Sequence, residues 1–224
     1  MIGKIFVTGS GCDPEKGKHI KDPYLGKNPS LGACRPDIRK QVQKGDSVFV
    51  VTGKVPGVAQ LVLGGFEVDE KISAREAYDR FPEQRLRQLP DGQITGNVIV
   101  NANGTQHELD HHDSDTFDRR AENYLVGKNP IALLTPEEID EGRAFTLEIL
   151  REVFDLKGES IRDLMGRGRN MTEQQVMKLR ALLDMVKKSA RKPLQPAMTE
   201  QNDWVSPMRR TQQFQECRNG VAKN

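Results

Sequence analysis

The chain has 224 residues, 34 Lys and Arg against 32 Asp and Glu, a net charge of +2 and 29% charged residues. That length suits one domain with additions or two small ones, and the charge predicts a very polar surface around an ordinary core. No apolar run approaches the roughly 20 residues that cross a bilayer, and Met1-Ile2-Gly3-Lys4-Ile5-Phe6-Val7 reads as a strand and not a signal peptide, so a cytoplasmic protein with no membrane partner is expected.

Ile5 to Thr8 reads as a short strand. Residues 9–32 form a long aperiodic loop rich in Gly, Pro, Lys and Asp, of the kind that is functional or disordered. Pro36 to Gln43 reads as a helix with Ile38 and Val42 facing a core, and Lys44-Gly45-Asp46 as a turn. Strands are predicted over 47–52 and 58–68, joined through Gly53-Lys54-Val55-Pro56-Gly57. Ser73-Ala74-Arg75-Glu76 has the form of a capping box and opens a helix ending near Phe81-Pro82. Asn97 to Asn101 reads as a strand; Tyr124 to Gly127 and Ile131 to Leu134 read as two last sheet elements. Thr135-Pro136-Glu137-Glu138 starts a helix with Pro at its first position, and a second helix opens at 170–175 with Val176, Leu179, Leu182, Leu183 and Val186 on one stripe. Gly166-Arg167-Gly168-Arg169 lies between them. The expected architecture is α+β: a small, partly open β-barrel over 1–135, a helical appendage with a basic loop over 136–191, and a polar, extended or disordered tail over 192–224 unless Trp204 and Phe214 dock.

The most informative stretch runs from Asn28-Pro29-Ser30-Leu31-Gly32-Ala33-Cys34 through Arg35-Pro36-Asp37-Ile38-Arg39 to Gly45-Asp46 and an apolar strand. Cys34 sits at a helix entrance, where unpaired N–H groups and the helix dipole lower a thiol pKa. The alternative is a small packing residue. Cys12, after Gly9-Ser10-Gly11, is a second candidate thiol and Cys217 is incidental; three widely spaced cysteines argue for free thiols.

This ordered pattern resembles the nucleotide modification associated domain family, second type, and Gly127-Lys128-Asn129 after Tyr124 resembles that family's C-terminal strand motif. The resemblance covers residues 1–135. It implies a fold similar to PUA, ASCH and EVE barrels, DNA carrying modified bases as partner, and an association with other proteins of a modification or restriction cluster. For the branch found in 7-deazaguanine clusters, it implies hydration of the nitrile of 7-cyano-7-deazaguanine in DNA to the 7-amido base, with no cofactor. A thiolate can add to a nitrile carbon to give a thioimidate, which water then resolves to the amide. Cys34 would be the nucleophile and Asp37 the proton carrier, with Asn28, Arg35, Arg39, Tyr24 and Lys128 holding substrate. A reader of modified bases in phage or defence systems, without chemistry, is the alternative.

Two further clusters bear on this. His107 to Asp115 mixes imidazole and carboxylate, but its spacing matches no standard zinc pattern, so it reads as a hydrated acidic loop and no metal is expected. Residues 105–141 hold ten acidic and three basic residues, and 157–192 hold ten basic and four acidic. Arg167, Arg169, Arg180 and Lys187 are the candidates to track a DNA backbone, against the alternative of a solvated helix face. Tyr24 and Phe66 are candidates for base stacking, with a place in the core as the equal alternative for each.

Overall fold

The computed structural model describes residues 2–191. The tail, with Trp204, Phe214 and Cys217, lies outside the described residues. The chain forms β1 (Gly3–Val7), β2 (Ser30–Leu31), α1 (Pro36–Gln41), β3 (Ser47–Val51), β4 (Val62–Ile72), α2 (Ala74–Arg80), the small hairpin β5 (Arg87–Gln88) and β6 (Ile94–Thr95), α3 (Phe117–Ala121), β7 (Tyr124–Ala132), α4 (Pro136–Phe154), α5 (Ile161–Met165), β8 (Gly168–Met171) and α6 (Glu173–Ala190). Six strands form one mixed sheet in the order β2-β7-β4-β3-β1-β8, curled into a half-barrel and flanked by helices.

Its centre is β3, whose Ser-Val-Phe-Val-Val run is buried throughout, as a strand covered on both faces must be. It pairs in parallel with β1 (Ile5 opposite Phe49) and antiparallel with β4 (Val48 opposite Phe66). The curl originates in β4, where register shifts break its ladders with both neighbours, and such bulges increase local twist. Gly64 has φ +145°, and a Cβ there would stand 2.1 Å from the Ile131 carbonyl oxygen, so β7 approaches as closely as it does only because residue 64 is glycine.

The helix starts follow local chemistry. Ser73, Thr135 and Thr172 each accept a bond from the backbone N–H three residues on, and Pro136 takes the first turn of α4. At Ser73 only this half of the expected capping box forms; the reciprocal box forms instead at Thr172 with Gln175.

Four strand assignments need correction. The strand read over 58–68 runs over 62–72. The two elements expected at 124–127 and 131–134 are one strand, β7, which passes through Asn129 at φ +48°. Residues 97–101 form no ladder: Val98, Ile99 and Val100 are buried, but they join the rest of the fold through isolated bridges, to Arg85 and Gln106. The Gly166–Arg169 stretch is not all connector, because Gly168 to Met171 pairs with β1.

Residues 136–191 thus contribute a sheet strand and share the core. Ile149, Leu150, Leu179 and Leu183 of α4 and α6 belong to the same buried cluster as Phe6, Phe49 and Val50. A second, smaller cluster forms around Ala74, Ala77, Leu86, Ile99 and Tyr124. Glu138, buried at the start of α4, receives bonds from the Leu134 amide (2.9 Å), Lys187 Nζ (3.0 Å) and Arg191 Nη2 (3.2 Å), which ties α6 to α4. Leu183→Ala is expected to cost about 2–5 kcal/mol. Urea unfolding followed by circular dichroism should remain one transition; loss of helix while β3 amides stay protected from exchange would contradict the shared core.

Candidate functional site

Two irregular segments, 8–29 and 96–123, carry little ladder hydrogen bonding, so their backbone groups need side-chain partners. Asp22, in the first of them, links both to the stretch before α1. Its carboxylate, 2% exposed, accepts bonds from the amides of Gly32 (2.9 Å), Ala33 (3.0 Å) and Cys34, and from Asn97 Nδ2 (2.9 Å). Asn97 also donates to Ser30 Oγ (2.9 Å) and accepts from the Tyr124 hydroxyl (2.7 Å). One buried network thereby joins the first loop, β2, the approach to α1, the 97–100 segment and β7.

Cys34 lies at the edge of this network. It lines a cleft of about 590 Å³ together with Thr8, Cys12, His19, Ile20, Lys21, Asp22, Gln93, Ile94 and His112, among others. The expected depression of its pKa is reversed. Burial, then the charge of Asp22 and a hydrogen bond with it, push the thiol up to about 12, against smaller opposing effects of Arg120 and Lys21. The sequence argument fails because the amides preceding α1 already hold a carboxylate, and α1 has only six residues. At neutral pH Cys34 is therefore a protonated thiol.

The other predicted residues separate. Asp37 forms a two-pronged ion pair with Arg35 (2.9 and 2.7 Å), and that hydrogen bonding outweighs burial and lowers its pKa. It lines a different cleft, on the β1–β8 side, and not the one that holds Cys34. Arg35 caps α1 at φ +50° and stacks over Phe6, with the guanidinium carbon 5.2 Å from the ring centre. Arg39 is corrected outright as a DNA or base contact. It is 0% exposed, and its guanidinium donates to the carbonyls of Cys34 (3.0 Å), Glu122 (2.6 Å), Asn123 (3.4 Å) and Arg120 (3.0 Å). It is a strut between α1 and the loop that enters β7.

Tyr24 lines a separate cleft of about 620 Å³ beside Gly26, Glu83 and Arg87, on the far side of the 19–21 segment. Asn28 donates to Glu83 (3.1 Å). Phe66 is fully buried in the core. Lys128 pairs with Asp69 (3.0 Å) and Glu67 (3.3 Å) on the strand surface.

The four C-terminal cations form no single stripe. Arg180 donates to the Asn129 carbonyl (2.6 Å), and Lys187 to the Ala132 carbonyl and Glu138. Both therefore hold α6 to the end of β7. Arg169 donates to the Leu164 carbonyl (3.0 Å) and covers Phe154, while Arg167 is exposed.

In the 107–115 segment, Asp110 is buried between Arg120 (3.0 Å) and His112 Nδ1 (2.6 Å). Burial alone would raise its pKa, but these two partners hold it down at about 2. Among the described residues no group of three or more His, Cys, Asp or Glu converges as a metal site.

The residues that sequence reasoning missed are Asp22, Asn97, Arg120 and His19. Asp22 had no signal, because its partners are mostly backbone amides. Comparison of the chain with protein-family models, with curated proteins and with solved structures finds no match.

Because the folded thiol pKa lies above the ordinary value of 9.0, the unfolded chain releases that proton first. The contribution of Cys34 to stability is therefore full below about pH 9 and is lost as pH rises toward about 12. Alkylation of the Cys34 peptide, followed by mass spectrometry, should be slow at neutral pH and rise steadily with pH, without a plateau before about pH 12, with Asp22→Asn moving the plateau to lower pH. A plateau already reached at pH 7 would show that the thiol is ionised.

Proposed function

We propose that the protein is a recognition module for a modified base in DNA, built on a PUA/EVE-like scaffold and acting without covalent chemistry. The observation that carries this reading is the composition of the Cys34 cleft. Its volume of about 590 Å³ falls in the range of small-molecule sites. Ile20 and Ile94 give it apolar walls, and the rings of His19 and His112 can stack on a flat heterocycle. Lys21, Gln93 and a protonated Cys34 supply donors and acceptors for a base edge. A cleft of this kind holds one base, so a base within a duplex must be flipped out of its stack to enter. The family resemblance of residues 28–46 supplies the partner class, DNA with unusual bases, together with neighbouring proteins of a modification or restriction cluster.

A second reading keeps the enzyme. Cys12 and Cys34 open onto the same cleft, and Lys21 partly offsets the rise in the Cys34 pKa. A nitrile bound there would be attacked at carbon by Cys34, and water would release the amide and regenerate the thiol. The burial of Cys34 and the commitment of Asp37 to Arg35 in another cleft weigh against it.

Fluorescence anisotropy with oligonucleotides carrying guanine, 7-cyano-7-deazaguanine or the 7-amido base at one position separates the two. At least tenfold tighter binding of a modified strand is expected, equal to about 1.4 kcal/mol, with no change in the nucleosides recovered afterwards. His112→Ala should reduce that preference severalfold. Equal affinity for all three strands would sink the reader. Conversion of nitrile to amide that disappears in Cys34→Ala would transfer the function to the hydratase.

A further inference from the structure

Beyond the base cleft, the largest of the clefts described lies past the carboxyl ends of the two parallel strands, β1 and β3. It has a volume of about 880 Å³ and shares Thr8 and Gly9 with the Cys34 cleft. Ligands in sheets with parallel strands collect at this end, because the connections diverge there and leave a crevice. The two exits are bound together. The Thr8 amide donates to the Val51 carbonyl (2.9 Å), the Gly53 amide to the Cys12 carbonyl (2.8 Å), and the Gly11 amide to the Lys54 carbonyl (3.0 Å). These bonds fix the backbone of Lys54 at the rim.

Four cations line this cleft, Arg35, Lys54, Arg162 and Arg167, and among the described residues no Asp or Glu does. Each comes from a different part of the chain: the start of α1, the exit of β3, α5, and the turn into β8. The turn is held in place by the Val7 amide, which donates to the Arg167 carbonyl (3.1 Å). Arg35 is anchored from behind by Asp37 and Phe6. Among the described residues no side-chain hydrogen bond or close ion pair engages Lys54, Arg162 or Arg167, although Arg162 acts at longer range on the neighbouring Asp163. Thr8, Ser10 and Gln60 add uncharged donors. Arg35 is already paired with Asp37, so the charge left to attract an anion here comes mainly from Lys54, Arg162 and Arg167, and neighbouring cations repel one another unless an anion lies between them.

We propose that this cleft binds the phosphates of a nucleic-acid strand, holding the phosphodiester next to the base that occupies the Cys34 cleft. The assignment rests on the base-recognition reading for its choice of a strand, since the shared chemistry, phosphate, is also offered by a free nucleotide. It replaces Arg169, Arg180 and Lys187 with Lys54, Arg162 and Arg35 as the partners of Arg167. Phosphate contacts fix position and affinity and carry no sequence information, whereas the neighbouring cleft supplies selectivity.

The test uses the full chain, labelled oligonucleotides with and without the modified base, and a salt series. Arg162→Gln and Arg167→Gln alter exposed residues, and thermal melts verify that the variants fold. Each is expected to weaken both strands about three- to tenfold, to reduce the slope of log K against log salt by about 1, and to leave the modified-to-unmodified ratio unchanged. Arg119→Gln removes the same charge from an exposed site that does not line the cleft and should change little. Variants that weaken binding no more than Arg119→Gln would overturn the proposal, as would an absence of binding to any strand. If binding depends on Arg162 and Arg167 but ignores the modification, the base-recognition reading fails and the phosphate site stands. A parallel titration with inorganic pyrophosphate and a nucleoside triphosphate separates the sources. Binding of these that is lost in the variants, with strand affinity unchanged, would assign the cleft to a free nucleotide and overturn the strand assignment.

Discussion

The carboxylate of Asp22 holds together parts of the chain that no regular ladder connects. Placing an ionised carboxylate in the interior costs several kcal/mol unless its oxygens are well bonded. Here three consecutive amides, at 32–34, and Asn97 Nδ2 converge on it. The exchange is mutual, because without Asp22 those amides would lie buried without partners, at about 1–3 kcal/mol each. Since Asn97 in turn meets Ser30 and Tyr124, the same charge fixes the approach to α1, the 97–100 segment and the start of β7. It also determines the chemistry next to it. Burial first, and then the fixed negative charge of Asp22, leave Cys34 as a neutral thiol at the cleft.

Two buried arginines extend the same principle with opposite charge. Arg39 satisfies four carbonyls, and Arg120 bonds the Ala33 carbonyl (3.3 and 3.2 Å) as well as Asp110. Carbonyls in irregular segments lack the partners that a strand would provide, and a guanidinium has five donors to distribute among them. The residue before α1 and the residues before β7 are thus tied through side chains where a sheet would have used backbone.

This division explains what could be read from the sequence. Helix starts at Ser73, Pro136 and Thr172 were legible because capping depends on three or four adjacent residues. β3 was legible because a strand buried on both faces is an unbroken apolar run. β7 was misread as two elements because Gly127, Asn129 and Pro130 are ordinary punctuation, and only its long pairing with β4 carries the strand through them. β8 was hidden for the same reason: Gly168, Arg169 and Asn170 have little strand preference, and their pairing with β1 spans most of the chain. Arg39 looked like a surface cation and proved to be core, since no local pattern shows which carbonyls a side chain will meet. The Cys34 cleft was half legible. Its thiol was evident, but Asp22 and His19 join it only through the path of the long loop, and His112 through the 107–115 segment.

Charge blocks along the chain translate poorly into surface field, and the reason lies in the same bonding demands. In the acidic middle segment Asp110 is neutralised by Arg120, and Glu138 by Lys187 and Arg191 of the basic segment. The basic C-terminal segment spends Arg180, Lys187 and Arg191 in attaching α6 to β7 and α4. What survives is set by topology. Parallel pairing of β1 with β3 sends both chain exits to one end of the sheet, and antiparallel β8 brings the turn at 166–167 back to that same end. Lys54, Arg35 and Arg167 meet there from regions far apart in sequence, with Arg162 of α5 beside them. A field of this kind is a property of strand order, and the whole-chain charge of +2 carries no trace of it.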